Sequence, residues 1–328
     1  PNILVLNTYL SRQFPSKVIP GFAPILQAYN HLLTAHVRAY NCIHDLYEAE
    51  GWNKPLVSLN TYCSDLYWSE KVLWDLLCHQ VRGIKPIQLR EYVQDKAKQL
   101  EAALHNATLP FRRDLPYQVG RAAYWLSNLF GSRSFATQEF DLFLSTLNAS
   151  PRQPAFDFLA IDYYDPFTAH TIRLPLFSDL EFKTKGLRNW LAHGITSKWW
   201  DWRSLPEGLH FFCKYYSEDL GNAPVLIAEN GMALRRKPDN SIASHRSDQL
   251  YRSEFLEVHI RQVKRLIQEK VPMLGYMHWS LTDNYEWGSY TPRFGLFSID
   301  YTNGTERLVE DHLGDRPSET YARLIQET

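Results

Sequence analysis

Long hydrophobic runs are missing from this sequence of 328 residues. No stretch approaches the roughly 18–20 consecutive apolar residues that a membrane-spanning helix needs, and the first residues lack the basic and apolar segments of a secretory signal. We therefore expect a soluble chain without a membrane span. The sequence leaves the compartment open between the cytoplasm and the secretory pathway.

Cysteines are few, and charge of neither sign is in excess. Cys42, Cys63, Cys78 and Cys213 show no Cys-x-x-Cys spacing, which argues against a zinc site and against a disulfide scaffold. Lys and Arg number 35 against 36 Asp and Glu, so no global positive field attracts phosphate backbones. These shortages make a metal site and a nucleic-acid partner unexpected.

Aromatic residues, in contrast, are abundant, at 14% of the chain with 10 Trp, 19 Tyr and 17 Phe. Most large rings serve core packing. Some can instead form a stacking platform for a ligand with an apolar face and a polar rim, and a sugar is such a ligand. Aromatic content alone does not decide between these two uses.

Apolar runs of strand length alternate with longer stretches of helical periodicity, which is the pattern of parallel βα units. The predicted strands are Ile3–Asn7, Leu56–Asn60, Phe158–Tyr163, Val225–Glu229 and Met273–Trp279. The predicted helices are Pro24–Ala49, Ser69–Val81, Leu89–His105, Gln118–Leu129, Glu207–Ser217, Leu250–Glu269 and Ser318–Glu327. Polar residues gather where the strands end, which is where a TIM barrel carries its catalytic groups.

Two segments near the C-terminus carry the most specific pattern. The first reads Pro224-Val-Leu-Ile-Ala-Glu229-Asn230-Gly231, and the second reads Trp279-Ser-Leu-Thr-Asp-Asn-Tyr-Glu-Trp287 with Arg293-Phe-Gly close behind. They resemble glycoside hydrolase family 1, the β-glucosidase family, whose seventh strand ends in T/A-E-N-G. The eighth strand of that family carries W-S-L-x-D-N-F/Y-E-W followed by R-F-G.

Two further segments resemble the same family. Asp157-Phe-Leu-Ala-Ile-Asp162-Tyr163-Tyr164 is similar to the family's D-F-I-G-I-N-Y-Y on strand six, and residues 30–36 are similar to its H-H/N-L-L-x-A-H helix. The resemblance implies an α/β fold, a (β/α)8 TIM barrel of which this chain supplies strands four to eight. It implies one partial-barrel catalytic domain over residues 1–328, with a helical insertion at about 69–154. A second chain or a missing N-terminal segment would then complete the barrel.

The resemblance also assigns roles to individual residues. Family members that retain configuration use two carboxylates, one as nucleophile and one as acid/base, and need neither a metal nor an organic cofactor. The roles implied here are Glu229 as nucleophile, Tyr164 as its hydrogen-bond donor, Trp279 as the floor beneath the sugar, Glu286 and Trp287 as partners of its hydroxyls, and Asn7 as a contact of the 2-hydroxyl.

The acid/base position departs from the family pattern. The family's fourth strand ends in N-E-P, and the best alignment places Asn7-Thr8-Tyr9 there. Thr8 cannot replace a Glu, because a hydroxyl is a poor general acid near neutral pH. We therefore expect a retaining β-glycosidase-like protein that acts on β-glucosides or related glycosides with an impaired acid/base. The alternative is a non-catalytic carbohydrate-binding or scaffold pseudoenzyme.

Overall fold

The structure is a computed structural model that describes residues 2–10, 20–111, 113–171, 203–237, 241–244, 246, 248–286, 289–302, 304 and 306–327. Its helices are α1 (Asn2–Tyr9), α2 (Phe22–Ala49), α3 (Lys71–Cys78), α4 (Leu89–Asn106), α5 (Leu115–Arg133), α6 (Asp141–Asn148), α7 (Thr168–Thr171), α8 (Pro206–Asp219), α9 (Arg252–Gln268) and α10 (Pro317–Gln326). Its strands are β1 (Asn60–Tyr62), β2 (Leu159–Tyr163), β3 (Val225–Asn230), β4 (Leu234–Arg236), β5 (Ile242–Ser244), β6 (Met273–His278), β7 (Pro292–Arg293), β8 (Ser298–Asp300) and β9 (Glu306–Leu308).

Every predicted helix is confirmed, with ends that differ by a few residues. In α2, for example, Ile25, Tyr29, Leu33 and Val37 are all buried, and their spacing of four places them on one face. Helix α6 was not predicted. Its start is fixed by Asn30, whose side-chain oxygen accepts the backbone N–H of Phe143 at 2.8 Å.

Strands β1, β2, β3 and β6 form one sheet in that order within the described residues. Strands β1 and β2 pair in parallel, with Asn60 opposite Ala160. All residues of β2 are buried, as expected for an interior strand of a parallel sheet covered on both faces. Strands β4, β5 and β7 form a small antiparallel sheet, and β8 and β9 pair with each other.

The predicted strand Ile3–Asn7 is wrong, because this segment lies in helix α1. A short apolar run cannot be assigned to strand or helix by periodicity alone. The structure shows what replaces strand pairing here. The Asn2 side chain accepts a hydrogen bond from the Tyr62 backbone N–H at 2.9 Å and donates one to the Tyr62 carbonyl at 2.7 Å. An amide side chain, and not the backbone of a neighbouring strand, therefore makes these hydrogen bonds to β1.

The second predicted strand, Leu56–Asn60, is displaced, since β1 begins only at Asn60. The Val57 N–H donates to the Asp157 carboxylate at 2.9 Å, and the Ser58 hydroxyl donates to the Phe158 carbonyl. These side-chain contacts hold the segment before β1. The three remaining predicted strands are confirmed as β2, β3 and β6.

The chain divides into two compact units. The first comprises Pro1–Thr108, Arg121–Asp162 and Lys214–Leu226, and the second comprises Leu109–Gly120, Tyr163–Cys213 and Ile227–Thr328. No helix in the described part of the chain is long and apolar enough to cross a bilayer.

Helix α3 is buried along its whole length in the first unit and carries an ionic cluster. The Lys71 ammonium lies 2.8 Å from Asp75 and 2.7 Å from Asp219. Burial lowers the pKa of Lys71, but the two carboxylates outweigh it and raise that pKa above its ordinary value. Lys71 therefore stays charged inside this unit.

Glu70, directly before α3, is fully buried in the same unit. Its carboxyl accepts hydrogen bonds from Thr61 at 2.6 Å, from the Trp74 indole at 2.6 Å and from the Tyr216 hydroxyl at 2.5 Å. Burial nevertheless dominates these bonds and raises the pKa of Glu70 to about 7. This carboxyl therefore titrates near neutral pH.

The core of the second unit lies beneath helices α9 and α10. Leu256, Ile260, Leu296 and Leu324 form one buried cluster, against which Tyr276 of β6 packs. A neighbouring cluster unites Met232, Leu234 and Phe255. These contacts hold β6 and the segment after β3 in fixed positions.

Candidate active site

Glu229 lies at the carboxyl end of β3, in the second unit. Val225 and Ile227 anchor the strand in the core, and Glu229 itself is only partly buried. Gly231 follows, and a Cβ at this position would lie 2.0 Å from the Trp279 carbonyl oxygen. The glycine of the motif is therefore required by the close approach of the segment after β6.

The Tyr164 hydroxyl donates a hydrogen bond of 3.2 Å to Oε2 of Glu229. Tyr164 follows directly after β2, and its ring packs edge-on against Phe294, with ring centroids 6.3 Å apart. Burial raises the pKa of Glu229 above its ordinary value, and the charge of Glu286 also raises it, whereas the Tyr164 hydrogen bond lowers it. The pKa of Glu229 therefore depends on Tyr164, its predicted hydrogen-bond donor, and on the charge of Glu286.

Asn230, the next residue, ties three strand ends together. Its side-chain amide donates to the Tyr163 carbonyl at 2.7 Å, and its side-chain oxygen accepts the Tyr276 hydroxyl at 2.7 Å. Its backbone carbonyl accepts the Trp279 N–H at 2.9 Å. The ends of β2, β3 and β6 are therefore held at a fixed spacing around Glu229.

The second motif brings an indole and a carboxylate together. Trp279 donates its indole N–H to Oε1 of Glu286 at 2.8 Å, and the Asn284 side chain donates to the same oxygen at 2.7 Å. Ser280 in turn donates to the Asn284 side-chain oxygen at 3.3 Å. Two donors on one oxygen fix the orientation of the buried Glu286 carboxylate.

Asp283, in the middle of this motif, has a structural role. Its two carboxylate oxygens accept the backbone N–H groups of Gly295 at 2.9 Å and of Ile299 at 3.1 Å. The Arg293 guanidinium lies 3.6 Å from the same carboxylate. The Arg-Phe-Gly segment is therefore anchored to the motif that carries Glu286.

His278 precedes Trp279 and is the imidazole nearest to it in sequence. One ring nitrogen lies 3.2 Å from the Phe294 carbonyl. Burial is the largest of several effects that lower the pKa of His278 to about 3. His278 is therefore neutral at neutral pH and is a poor candidate for a general acid.

The predicted site residues fall into three groups. The structure places Glu229, Tyr164, Trp279 and Glu286 in one unit, with one hydrogen bond from Tyr164 to Glu229 and another from Trp279 to Glu286. Trp287 lies outside the described residues. Asn7 and Thr8 lie on α1 of the first unit rather than at a strand end, and their roles stay predictions.

Three polar residues of this site were not predicted to act there, namely Asn230, Tyr276 and Asn284. Asn230 and Asn284 stand within the two quoted motifs, so the sequence held a signal for them.

The described ranges contain no group of three or more His, Cys, Asp or Glu side chains that could hold a metal ion.

The family model for glycosyl hydrolase family 1 matches residues 135–312, which is more than half of the chain. The chain belongs to glycosyl hydrolase family 1. Two relatives from Thermotoga are the 1,4-beta-D-glucan glucohydrolase of T. neapolitana, 37% identical over 111 residues, and beta-glucosidase A of T. maritima, 31% identical over 160 residues. These alignments cover 34% and 48% of this chain.

A plant relative, the peroxisomal beta-glucosidase 26 of Arabidopsis thaliana, is 32% identical over 162 residues and 46% of this chain. The alignments span 24%, 33% and 29% of the lengths of the three relatives. The aligned part of this family 1 chain thus corresponds to about a quarter to a third of each curated relative.

Solved structures establish the fold. The beta-glucosidase from T. maritima in complex with castanospermine superposes with a TM-score of 0.56 and 19% identity, over 99% of this chain and 61% of that chain. Its complex with glucoimidazole gives 0.53 and 20%, over 99% and 62%. The α/β fold of this family 1 chain, with its parallel sheet, is therefore part of a TIM barrel.

Proposed function

We propose that this protein is a retaining β-glycosidase that acts on β-glucosides or related glycosides through Glu229. The observation that carries the proposal is the hydrogen bond from Tyr164 to Glu229 at the end of β3. A nucleophilic carboxylate must be oriented and ionised, and a hydroxyl donor favours both. The names of the relatives, glucohydrolase and beta-glucosidase, agree with this substrate class.

In the proposed first step, a carboxylate oxygen of Glu229 attacks the anomeric carbon. The bond from that carbon to the leaving oxygen breaks, and its electron pair departs with the leaving group. The result is a covalent glycosyl-enzyme. Water then attacks the anomeric carbon, the ester bond to Glu229 breaks, and the water loses a proton to solvent, which releases the sugar and regenerates the Glu229 carboxylate. Neither step requires a metal or an organic cofactor.

Sugar positioning falls to the second motif. Trp279 would provide the apolar floor beneath the pyranose ring, and Glu286 would accept hydrogen bonds from its hydroxyls. Because Trp279 and Asn284 both donate to Oε1 of Glu286, we assign the sugar hydroxyls to Oε2. Trp287 and Asn7 complete the proposed set, as donor to a hydroxyl and as contact of the 2-hydroxyl.

Protonation of the leaving group is the step for which the proposed site has no carboxylic acid at position 8. The Thr8 hydroxyl donates to the Leu4 carbonyl at 2.8 Å within its own helix. General acid catalysis contributes typically about 10²–10⁴-fold. We therefore propose fast glycosylation only by substrates whose leaving groups depart without a proton, and slow turnover of alkyl glycosides.

The chain spans about 61% of the T. maritima structure, and we propose that a second chain or a preceding segment supplies the remaining strands. Strand β6 ends the order of the described sheet, and its Leu274 and Met277 side chains are 47% and 54% exposed. The other expected free edge, Ile3–Asn7, is a helix. Hydrogen exchange of the β6 amides tests whether a further strand pairs with β6, since fast exchange in the assembled protein contradicts such pairing.

Trapping tests the nucleophile. A 2-deoxy-2-fluoro-β-D-glucoside with a dinitrophenolate leaving group needs no acid, so it reports on the nucleophile alone. We expect a mass adduct on the peptide that contains Glu229, and none in Glu229→Gln. An adduct on another residue would refute the assignment of Glu229.

The substitution Thr8→Glu distinguishes the two hypotheses, an impaired hydrolase and a non-catalytic pseudoenzyme. An impaired hydrolase gains rate in Thr8→Glu on substrates with basic leaving groups, while its rate on dinitrophenyl glucoside changes little. Absence of adduct and of turnover in both proteins, together with retained glucoside binding, would favour the non-catalytic carbohydrate-binding alternative.

A further inference from the structure

A cavity lies in the first unit, away from the proposed nucleophile Glu229 in the second unit. It has a volume of about 280 Å³ and is bounded by α4, α5 and the turn that contains Trp68. This is close to the lower end of the roughly 300–1,000 Å³ found for small-molecule pockets. All of its lining residues fall between positions 67 and 133, before the first residue matched by the family model. The cavity is therefore built from sequence outside the family match.

Two indoles form its aromatic walls. Trp68 is nearly buried, its N–H donates to the Ser127 hydroxyl at 3.2 Å, and its ring lies so close to α5 that a Cβ on Gly131 would be 2.1 Å from it. Trp68 is thus fixed. Trp125, on α5, lines the same cavity and is 60% exposed. Covering an indole that is exposed to water at a cavity mouth with an apolar surface is favourable, because it removes apolar area from water.

The rim is polar and close to charge balance. Lys98 is paired with Asp95 at 2.9 Å, so its charge is compensated outside the cavity. Glu101 and Arg133 add one charge of each sign. Gln94 contributes an amide, which both donates and accepts. Donors and acceptors are therefore present together without a net field for an anion.

We propose that this cavity is a second carbohydrate site that binds a neutral saccharide of one or two rings. A pyranose has a C–H face for the Trp125 indole and hydroxyls that both donate and accept, which matches the rim. An anion would require excess positive charge, and a purely apolar ligand would leave the rim groups without hydrogen bonds from the ligand. The inference does not depend on catalysis by Glu229.

The experiment uses the full chain with Glu229→Gln and Trp279→Ala, which disables the proposed catalytic site. Tryptophan indole N–H signals are followed by ¹⁵N NMR during titration with cellobiose. We expect the indole signal that disappears in Trp125→Ala to shift saturably. Loss of one aromatic contact weakens binding about tenfold, so the remaining signals of Trp125→Ala should saturate at correspondingly higher cellobiose.

Matched controls decide the outcome. Phe130 lies on the same helix, is 65% exposed and does not line the cavity, so Phe130→Ala should bind cellobiose as the parent does. Equal losses in both variants, or no saturable shift, would overturn the proposal. Shifts produced equally by sodium sulfate or by cyclohexanol would also overturn it, since they indicate an anion site or an apolar site.

Discussion

Replacing Tyr164 by Phe removes the hydroxyl that donates to Glu229 and leaves the ring that packs on Phe294. A hydrogen bond to a charged group is worth about 1.5–3 kcal/mol. The distance of 3.2 Å exceeds the usual ~2.7–2.8 Å for O–H···O, which favours the lower end of that range. A loss of about 1.5 kcal/mol corresponds to a roughly tenfold slower glycosylation step.

The pH profile provides a second readout. In the proposed reaction Glu229 must be ionised to attack, so we expect activity to fall as the pH drops through its pKa. The Tyr164 hydrogen bond lowers the pKa of Glu229, and the variant should therefore lose activity at a higher pH than the parent. The charge of Glu286 raises the same pKa, so Glu286→Gln should move the acidic limb toward lower pH.

The assay is the rate of inactivation by the dinitrophenyl 2-fluoroglucoside as a function of pH. Tyr163→Phe is the matched control, because the Tyr163 hydroxyl donates to the Leu205 carbonyl instead of to Glu229. This variant should keep the acidic limb of the parent. An unchanged rate and limb in Tyr164→Phe, or equal shifts in both tyrosine variants, would refute the role assigned to the hydrogen bond.

Three further predictions concern stability, measured by urea unfolding. Lys71→Met removes the buried ammonium from Asp75 and Asp219, which keep Arg82 and Lys96 as partners, and should cost about 1–3 kcal/mol, whereas Lys98→Met, at an exposed pair, should cost nothing measurable; equal losses would contradict this. Because the pKa of Glu70 rises from 4.5 to about 7 on folding, the native state binds more protons in that window, and stability should fall by about 3 kcal/mol as pH rises through it. In Glu70→Gln the free energy of unfolding should depend less on pH. A free energy of unfolding of the parent that rises with pH in this window would contradict the raised pKa of Glu70. Gly231→Ala places a Cβ 2.0 Å from the Trp279 carbonyl and should cost about 1–3 kcal/mol or more, together with activity; parental stability and activity would contradict the packing argument.

The parts of the fold that follow from burial were predictable from the sequence. Strands β2, β3 and β6 are apolar runs between polar ends, and their positions were confirmed. Residues 3–7 looked the same, yet they form a helix, and the Asn2 amide makes the hydrogen bonds to Tyr62 of β1. Local periodicity does not distinguish a short buried strand from a short buried helix.

The candidate site shows the same division. The family resemblance pointed to Glu229, Trp279 and Glu286, and the structure shows a hydrogen bond between the last two. It did not predict that Asn284 and Trp279 share one oxygen of Glu286, since this depends on side-chain orientation within a turn. Sequence patterns identify the residues of a site, whereas side-chain rotamers determine which atoms form hydrogen bonds with each other.

The tie made by Asn230 has a practical consequence for engineering. One amide holds Tyr163 and Tyr276, so a substitution there would displace Glu229 and Trp279 at the same time. A library that varies Asn230 would mix altered selectivity with a collapsed scaffold. Diversity aimed at new glycosides is better placed in the loops after the strands, where a changed side chain leaves the frame intact.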